Sequence, residues 1–208
     1  MKYYLAISPE SLEDTLISES KRLMKEVYDR RVKKIYYRVK TKDKLDNPHR
    51  LFIKGDGRVL EAEIEPHISL VHNIELENIN DFIKEAKEIC GRYNVIKLEF
   101  VGAGNYGMDF TFFVEFKNSP SLEKLRSELL RLSKPFLSEE EYKQHTDVNY
   151  VPHATVLYDD VDPEKLLKAY KLLNIERFKT PILAQEILLW ETTASDQKLV
   201  ERLPLKGV

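Results

Sequence analysis

Apolar residues alternate at Tyr3, Leu5 and Ile7, and a period of two predicts a strand over Lys2–Ser8. Ser8-Pro9-Glu10 then places a proline and an acid where a first helical turn takes them. Leu12, Leu16, Leu23 and Val27 recur at near-helical spacing, so a helix is expected through about residue 28. Lys34–Val39, Leu51–Ile53 and Val59–Ile64 read as strands, with turns at Asp46-Asn47-Pro48 and Gly55-Asp56-Gly57. Ile79–Cys90 sets Ile79, Phe82, Ile83, Ala86 and Ile89 on one helical face. Val95–Val101 and Met108–Phe116 read as strands around a turn at Gly102-Ala103-Gly104-Asn105. A helix over Leu122–Leu132 follows Asn118-Ser119-Pro120. The polar run SEEEYKQHTDVNY reads as a loop at the rim of a cleft, and Asn149–Leu157 as a strand. Asp162-Pro163-Glu164 opens a helix to Leu173, and Ile182–Trp190 and Lys198–Leu203 close the chain as strands.

Within this pattern one phrase is written twice. EPHISLV at residues 65–71 and YVPHATVL at residues 150–157 each place proline, histidine, a free position, a hydroxyl and an aliphatic residue in that order. In a strand, side chains alternate between faces. His67 and Ser69 therefore share one face while Ile68 and Leu70 enter a core, and His153 and Thr155 do the same against Ala154 and Val156. A single histidine beside a hydroxyl in a strand is most often structural. Two copies, each central to a half with the element order strand, helix, strands, point to a weak internal duplication and a site where the pairs converge. Across such a cleft, one neutral imidazole takes a proton and one protonated imidazole gives one. This is general acid–base work suited to a phosphodiester, with both roles within reach of an imidazole near neutral pH. The hydroxyls would hold the non-bridging oxygens.

Composition narrows the rest. With 42% hydrophobic and 33% charged residues the chain has ample core for one folded unit, and no Gly-, Pro- or Ser-rich linker divides residues 1–208. A formal net charge of -2 excludes whole-protein attraction to nucleic acid but leaves a local basic surface open. Cys90 stands alone, so no internal disulfide or cysteine-based metal cluster is available, and its helix face reads as a buried, inert thiol. No apolar run reaches spanning length and the first residues lack a signal-peptide core. The expectation is a cytoplasmic protein with no membrane association.

On the two histidine motifs, together with Tyr3–Ser8 and the closing ILLWETTASDQKLVERLPL, the sequence resembles the two-histidine (2H) phosphoesterase superfamily. Within it, the chain is similar to the group of 2′-5′ RNA ligases and RNA 2′,3′-cyclic phosphodiesterases. The resemblance implies an α+β fold with two pseudo-symmetric lobes, antiparallel sheets lining a central cleft and helices outside. It treats about 29–64 as an insertion. It implies His67 and His153 as acid and base, in an order left open, and Ser69 and Thr155 as phosphate ligands. The chemistry implied is opening of a 2′,3′-cyclic phosphate, or of a related 2′-5′ linkage, on an RNA end or nucleotide, with no cofactor. The alternatives are a ligase running the same steps in reverse and a non-catalytic RNA-binding module. Members acting on RNA cyclic phosphates often carry an arginine soon after the second motif, where this chain continues Leu157-Tyr158-Asp159-Asp160.

Lys54 and Arg58 flank the turn before the first motif and are further substrate-binding candidates, with Tyr106, Tyr150 and Tyr158. Residues 30–44 hold eight basic residues among fifteen with Tyr36 and Tyr37 between them. That run reads as the solvated face of a hairpin in preference to a single-strand binding surface. GAGNYG at 102–107 lacks the Gly-Lys-Ser/Thr ending of a phosphate loop. No H-x-x-H or H-E-x-x-H spacing supplies a metal site. His72, three residues past Ser69, is expected on the face opposite His67. No protein partner is indicated.

Overall fold

Strand β1 (Lys2–Ile7) lies inside a four-stranded antiparallel sheet, between β4 (Ile68–Glu75) and β10 (Glu186–Thr192), with β11 (Gln197–Pro204) beyond β10. The computed structural model describes residues 2–28, 35–38, 61–64, 66–106, 111–146, 149–158, 163–192 and 197–207. A second sheet orders its strands as β3 (Glu61–Ile64), β2 (Ile35–Arg38), β8 (His153–Tyr158), β7 (Thr111–Phe116) and β6 (Phe100–Asn105). A short ribbon pairs β5 (Ile96–Leu98) with β9 (Ile182–Ala184).

Helices cover one face of each sheet. Helix α1 (Glu13–Tyr28) packs on β8 and β2 beside α5 (Pro163–Leu172), and α2 (Ile79–Cys90) packs on β11 beside α3 (Pro120–Ser133). The Lys87–Glu201 ion pair (3.3 Å) marks that side of the first sheet. The segment after α5 is tied to α1 by the fully buried Glu19. Its carboxylate takes Arg22 at 2.5 Å, Arg177 at 3.1 Å and the Asn174 N–H at 2.9 Å. Among the described residues no helix is long and apolar enough to cross a membrane. Two-lobed α+β architecture is therefore observed as expected.

The two histidine strands share an irregularity that a strict period of two does not foresee. On β4, Ser69 lies opposite Ala6 but Val71 lies opposite Leu5, so Leu70 is extra. On β8, Thr155 lies opposite Phe113 but Leu157 lies opposite Phe112, so Val156 is extra. Each strand has a β-bulge immediately after its hydroxyl residue, and a bulge lets two consecutive side chains enter the same side. Leu70 and Val71 are both buried, as are Val156 and Leu157. The paired aliphatics that close each motif are the sequence's record of that bulge.

Several expectations are corrected. The bulge reverses the parity of β4, so His72 falls on the side of the sheet that carries Ser69, and its ring packs on His145 at 4.3 Å between centroids. Gly102–Asn105 is strand, not turn. Gly104 pairs with Phe113, and a Cβ there would fall 2.7 Å from that ring. Only glycine fits so close an approach. The polar run after Ser138 forms α4 (Glu139–Thr146), because Ser138 and Glu141 make a reciprocal capping box. The Ser138 hydroxyl accepts the Glu141 N–H at 3.2 Å, and the Glu141 carboxylate accepts the Ser138 N–H at 3.2 Å. The second sheet is mixed, since β2 runs parallel to β8. Strand β8 is internal to its sheet, whereas β4 is an outer strand rather than a central one. The segments Val95–Val101 and Ile182–Trp190 each divide into two strands.

Candidate active site

The outer position of β4 lets it approach β8, so the two motif strands meet where the sheets adjoin. Asn149–Pro152 leads into β8, and from it the Tyr150 hydroxyl donates to the Ser69 carbonyl at 2.9 Å. The two motifs are thereby bonded to each other. His67, Ser69, His153 and Thr155 are all half-buried. Ser69 shares its side with Ala6 and Tyr4 of β1, and Thr155 lies opposite Phe113.

His153 is held firmly. Its Nδ1 lies 2.8 Å from the Val151 carbonyl and 3.1 Å from the Tyr106 hydroxyl, so the Nδ1–H is shared between two oxygens. Its ring packs at 4.7 Å on Phe113 and edge-on to Tyr106 at 5.0 Å. With the proton fixed on Nδ1, Nε2 is the nitrogen available to a substrate. Burial holds the His153 pKa below the ordinary imidazole value. The Val151 bond partly opposes this, and the positive charge of a protonated His67 lowers it again. Glu115 lies opposite His153 on β7.

His67 rests on a different wall. Its ring lies 5.3 Å from that of Tyr4, Tyr4 stacks on Trp190 at 6.2 Å, and the Tyr4 hydroxyl donates to Gln197 at 3.1 Å. The strand pair after the second motif thus forms the support behind the first histidine.

The other candidates divide. Tyr106 is 45% exposed at the mouth of the site, beside His153. Tyr150 lies behind the motifs, its hydroxyl spent on Ser69 and its ring under the Arg126 guanidinium at 4.2 Å. Lys54 and Arg58 lie outside the described residues. So does the 30–44 run, apart from the backbone of β2, and Tyr158 is described only as the last residue of β8. Sequence reasoning missed Arg126. It is buried on α3, with Nε donating to the Leu70 carbonyl (3.1 Å) and an Nη to the His145 carbonyl (3.0 Å). An arginine facing the leucine stripe of an amphipathic helix was the available signal. Cys90 is buried, and burial pushes its thiol up to about 12, as suits an inert side chain. Among the described residues no group of three His, Cys, Asp or Glu side chains is placed to hold a metal ion.

Two lobes, two strands of the form His-x-Ser/Thr and their meeting across a cleft define a two-histidine phosphoesterase fold. The chain belongs to the 2′-5′ RNA ligase superfamily, whose pattern matches residues 53–196. Members of that superfamily are phosphoesterases or ligases. Solved structures agree on the fold at low identity. The Thermus thermophilus protein TT0787 is 14% identical with a TM-score of 0.61, over 100% of this chain and 99% of that one. LigT of E. coli, complexed with 3′-AMP, is 14% identical with a TM-score of 0.53, over 99% of this chain and 98% of that one. No curated protein matches the chain.

Proposed function

We propose that the protein is a metal-independent phosphodiesterase that opens a cyclic phosphate on an RNA end or nucleotide by two-histidine acid–base catalysis. The observation that supports this reading is the bonding of the two motifs through Tyr150 and the Ser69 carbonyl, together with the contact of β4 with β8 and the action of the His67 charge on His153. His153 Nε2 takes a proton from the attacking water as its oxygen bonds to phosphorus. The P–O bond to the ribose oxygen breaks, and protonated His67 gives that oxygen its proton. Ser69 and Thr155 hydroxyls donate to the non-bridging oxygens, where charge accumulates. The base role goes to His153 because its Nδ1–H is committed to Val151 and Tyr106. Binding of 3′-AMP by LigT supports a nucleotide phosphate as the ligand class. The superfamily's ligase name favours one second reading, the same steps run in reverse to join ends.

The test is turnover, in excess EDTA, of 2′,3′-cyclic mononucleotides, cyclic-phosphate-ended oligomers and 2′-5′ linked dimers. At least one substrate should turn over, and His67→Ala and His153→Ala should each cost about 10²–10⁴-fold. Full activity in either variant overturns the mechanism, and loss of activity in EDTA points to a metal.

A further inference from the structure

Arg126 is a buried cation that no described carboxylate pairs with, an arrangement that asks for a reason. Burying a charge is costly unless hydrogen bonds compensate it. Its partners are parts of the two motifs or lie beside them. Nε donates to Leu70, the extra residue of the β4 bulge; an Nη donates to His145, at the end of α4; and the guanidinium plane lies over Tyr150. Tyr150 closes the circuit on the Ser69 carbonyl. Two consecutive carbonyls of the first motif strand are therefore held by side chains from elsewhere. One comes from α3 and the other from the approach to the second motif.

We propose that Arg126 is a positioning residue that, through Tyr150, fixes the bulge after Ser69 and the separation of the two histidine strands. It touches no reacting atom. A guanidinium suits the position because its planar fork reaches two carbonyls at once and still presents a face to an aromatic ring. A lysine keeps the charge but gathers its donors on one nitrogen and has no planar face to lie over the ring. Released from this circuit, β4 is free to move against β8, and a shift of about 1 Å in a catalytic pair costs about 10²-fold.

The role in turnover rests on the phosphoesterase reading; the role in geometry does not, so the test reads both. Wild type, Arg126→Met, Arg126→Lys and Tyr150→Phe are compared by steady-state kinetics on a 2′,3′-cyclic nucleotide, and by NMR titration of the histidine ring protons. In Arg126→Met we expect kcat to fall about 10²-fold with KM within about threefold. The His153 titration should move up toward an ordinary imidazole as burial and the proximity of His67 relax. His67, His72, Tyr106 and Glu115 face or adjoin His153, and Arg126 is not among the groups that act on it directly. Tyr150→Phe should lose about tenfold, and Arg126→Lys should fall between wild type and Arg126→Met. A folded Arg126→Met protein with wild-type kcat and His153 titration overturns the proposal. If that variant does not fold, wild-type kcat and titration in both Arg126→Lys and Tyr150→Phe overturn it. A wild type inert on every cyclic phosphate counts against the proposed function alone, and the titrations then decide on Arg126.

Discussion

The Nδ1 of His153 sits 2.8 Å from the carbonyl of Val151, two residues back along its own chain. A contact this local lies within the second motif itself, and the Tyr106 hydroxyl at 3.1 Å adds a second oxygen beside the same nitrogen. The proline before the histidine, which the chemistry itself does not require, acquires a structural context here.

The pH dependence of turnover follows. In the proposed mechanism His153 acts neutral, and burial, offset in part by the Val151 bond, keeps its pKa low. The acidic limb of kcat/KM should therefore fall below the ordinary imidazole value of about 6.5. The alkaline limb should report His67 losing its proton. A pH–rate profile of wild type and Tyr106→Phe checks this. Tyr106→Phe removes one of two acceptors from Nδ1–H and should cost less than about tenfold. An acidic limb clearly above 6.5 contradicts the assignment of His153 as base.

Gly104 supports the same imidazole from below. Phe113 is 2% exposed and packs on both His153 and Tyr106, and a methyl group at residue 104 would press into its ring and against the Glu115 carboxylate. Gly104→Ala should destabilise the fold by about 1–3 kcal/mol through overpacking and lower kcat by displacing Phe113. Thermal unfolding and kinetics of the one variant measure both effects. Unchanged values in both would mean that Phe113 moves freely.

His72 should make stability fall in acid. Burial, with the charges of His145, Arg126 and His153, pushes its pKa to about 3. Below about pH 6.5 the unfolded chain binds a proton that the folded chain refuses, so stability declines as pH falls from there toward about 3. His72→Gln should flatten that slope by up to about 1.4 kcal/mol per pH unit. Urea unfolding at pH 7, 6, 5 and 4 gives the comparison; parallel curves for the two proteins reject it.

Glu19 makes the complementary case. Burial alone would raise its pKa, but hydrogen bonds from Arg22, the Asn174 N–H and Arg177 outweigh this and hold it low. Its contribution is present above the unfolded carboxyl pKa and disappears as pH falls through the lower folded one. Glu19→Gln should therefore cost about 1–3 kcal/mol at pH 7 and progressively less toward pH 3. An equal loss at both pH values would assign the effect to shape rather than charge.

The residues that resemblance picks out were legible because a strand's period of two is visible in six letters. That His67 shares a face with Ser69, and His153 with Thr155, needed only alternation. What alternation hid was the bulge after each hydroxyl, and with it the side on which His72 falls. Leu70-Val71 and Val156-Leu157 were written plainly, but two adjacent aliphatics also suit a strand buried on both faces. Helix α4 was missed because its polar composition resembles a loop, although Ser138 and Glu141 spell a capping box. What Arg126 and Tyr150 bind was illegible for a different reason. Their partners are backbone carbonyls far along the chain, and carbonyls have no letters.

Strand β1 lies between β4 and β10, with Leu5 opposite Leu189. During synthesis at roughly 5–20 residues per second, β1 emerges early and waits, with one edge open, until β10 leaves the ribosome. Both histidines exist before then. The Tyr4–Trp190 stack behind His67 does not. A nascent chain halted after the second motif would carry both histidine motifs and still lack the wall behind the first of them. The wall behind His67 is thus completed only once the closing strands have been made.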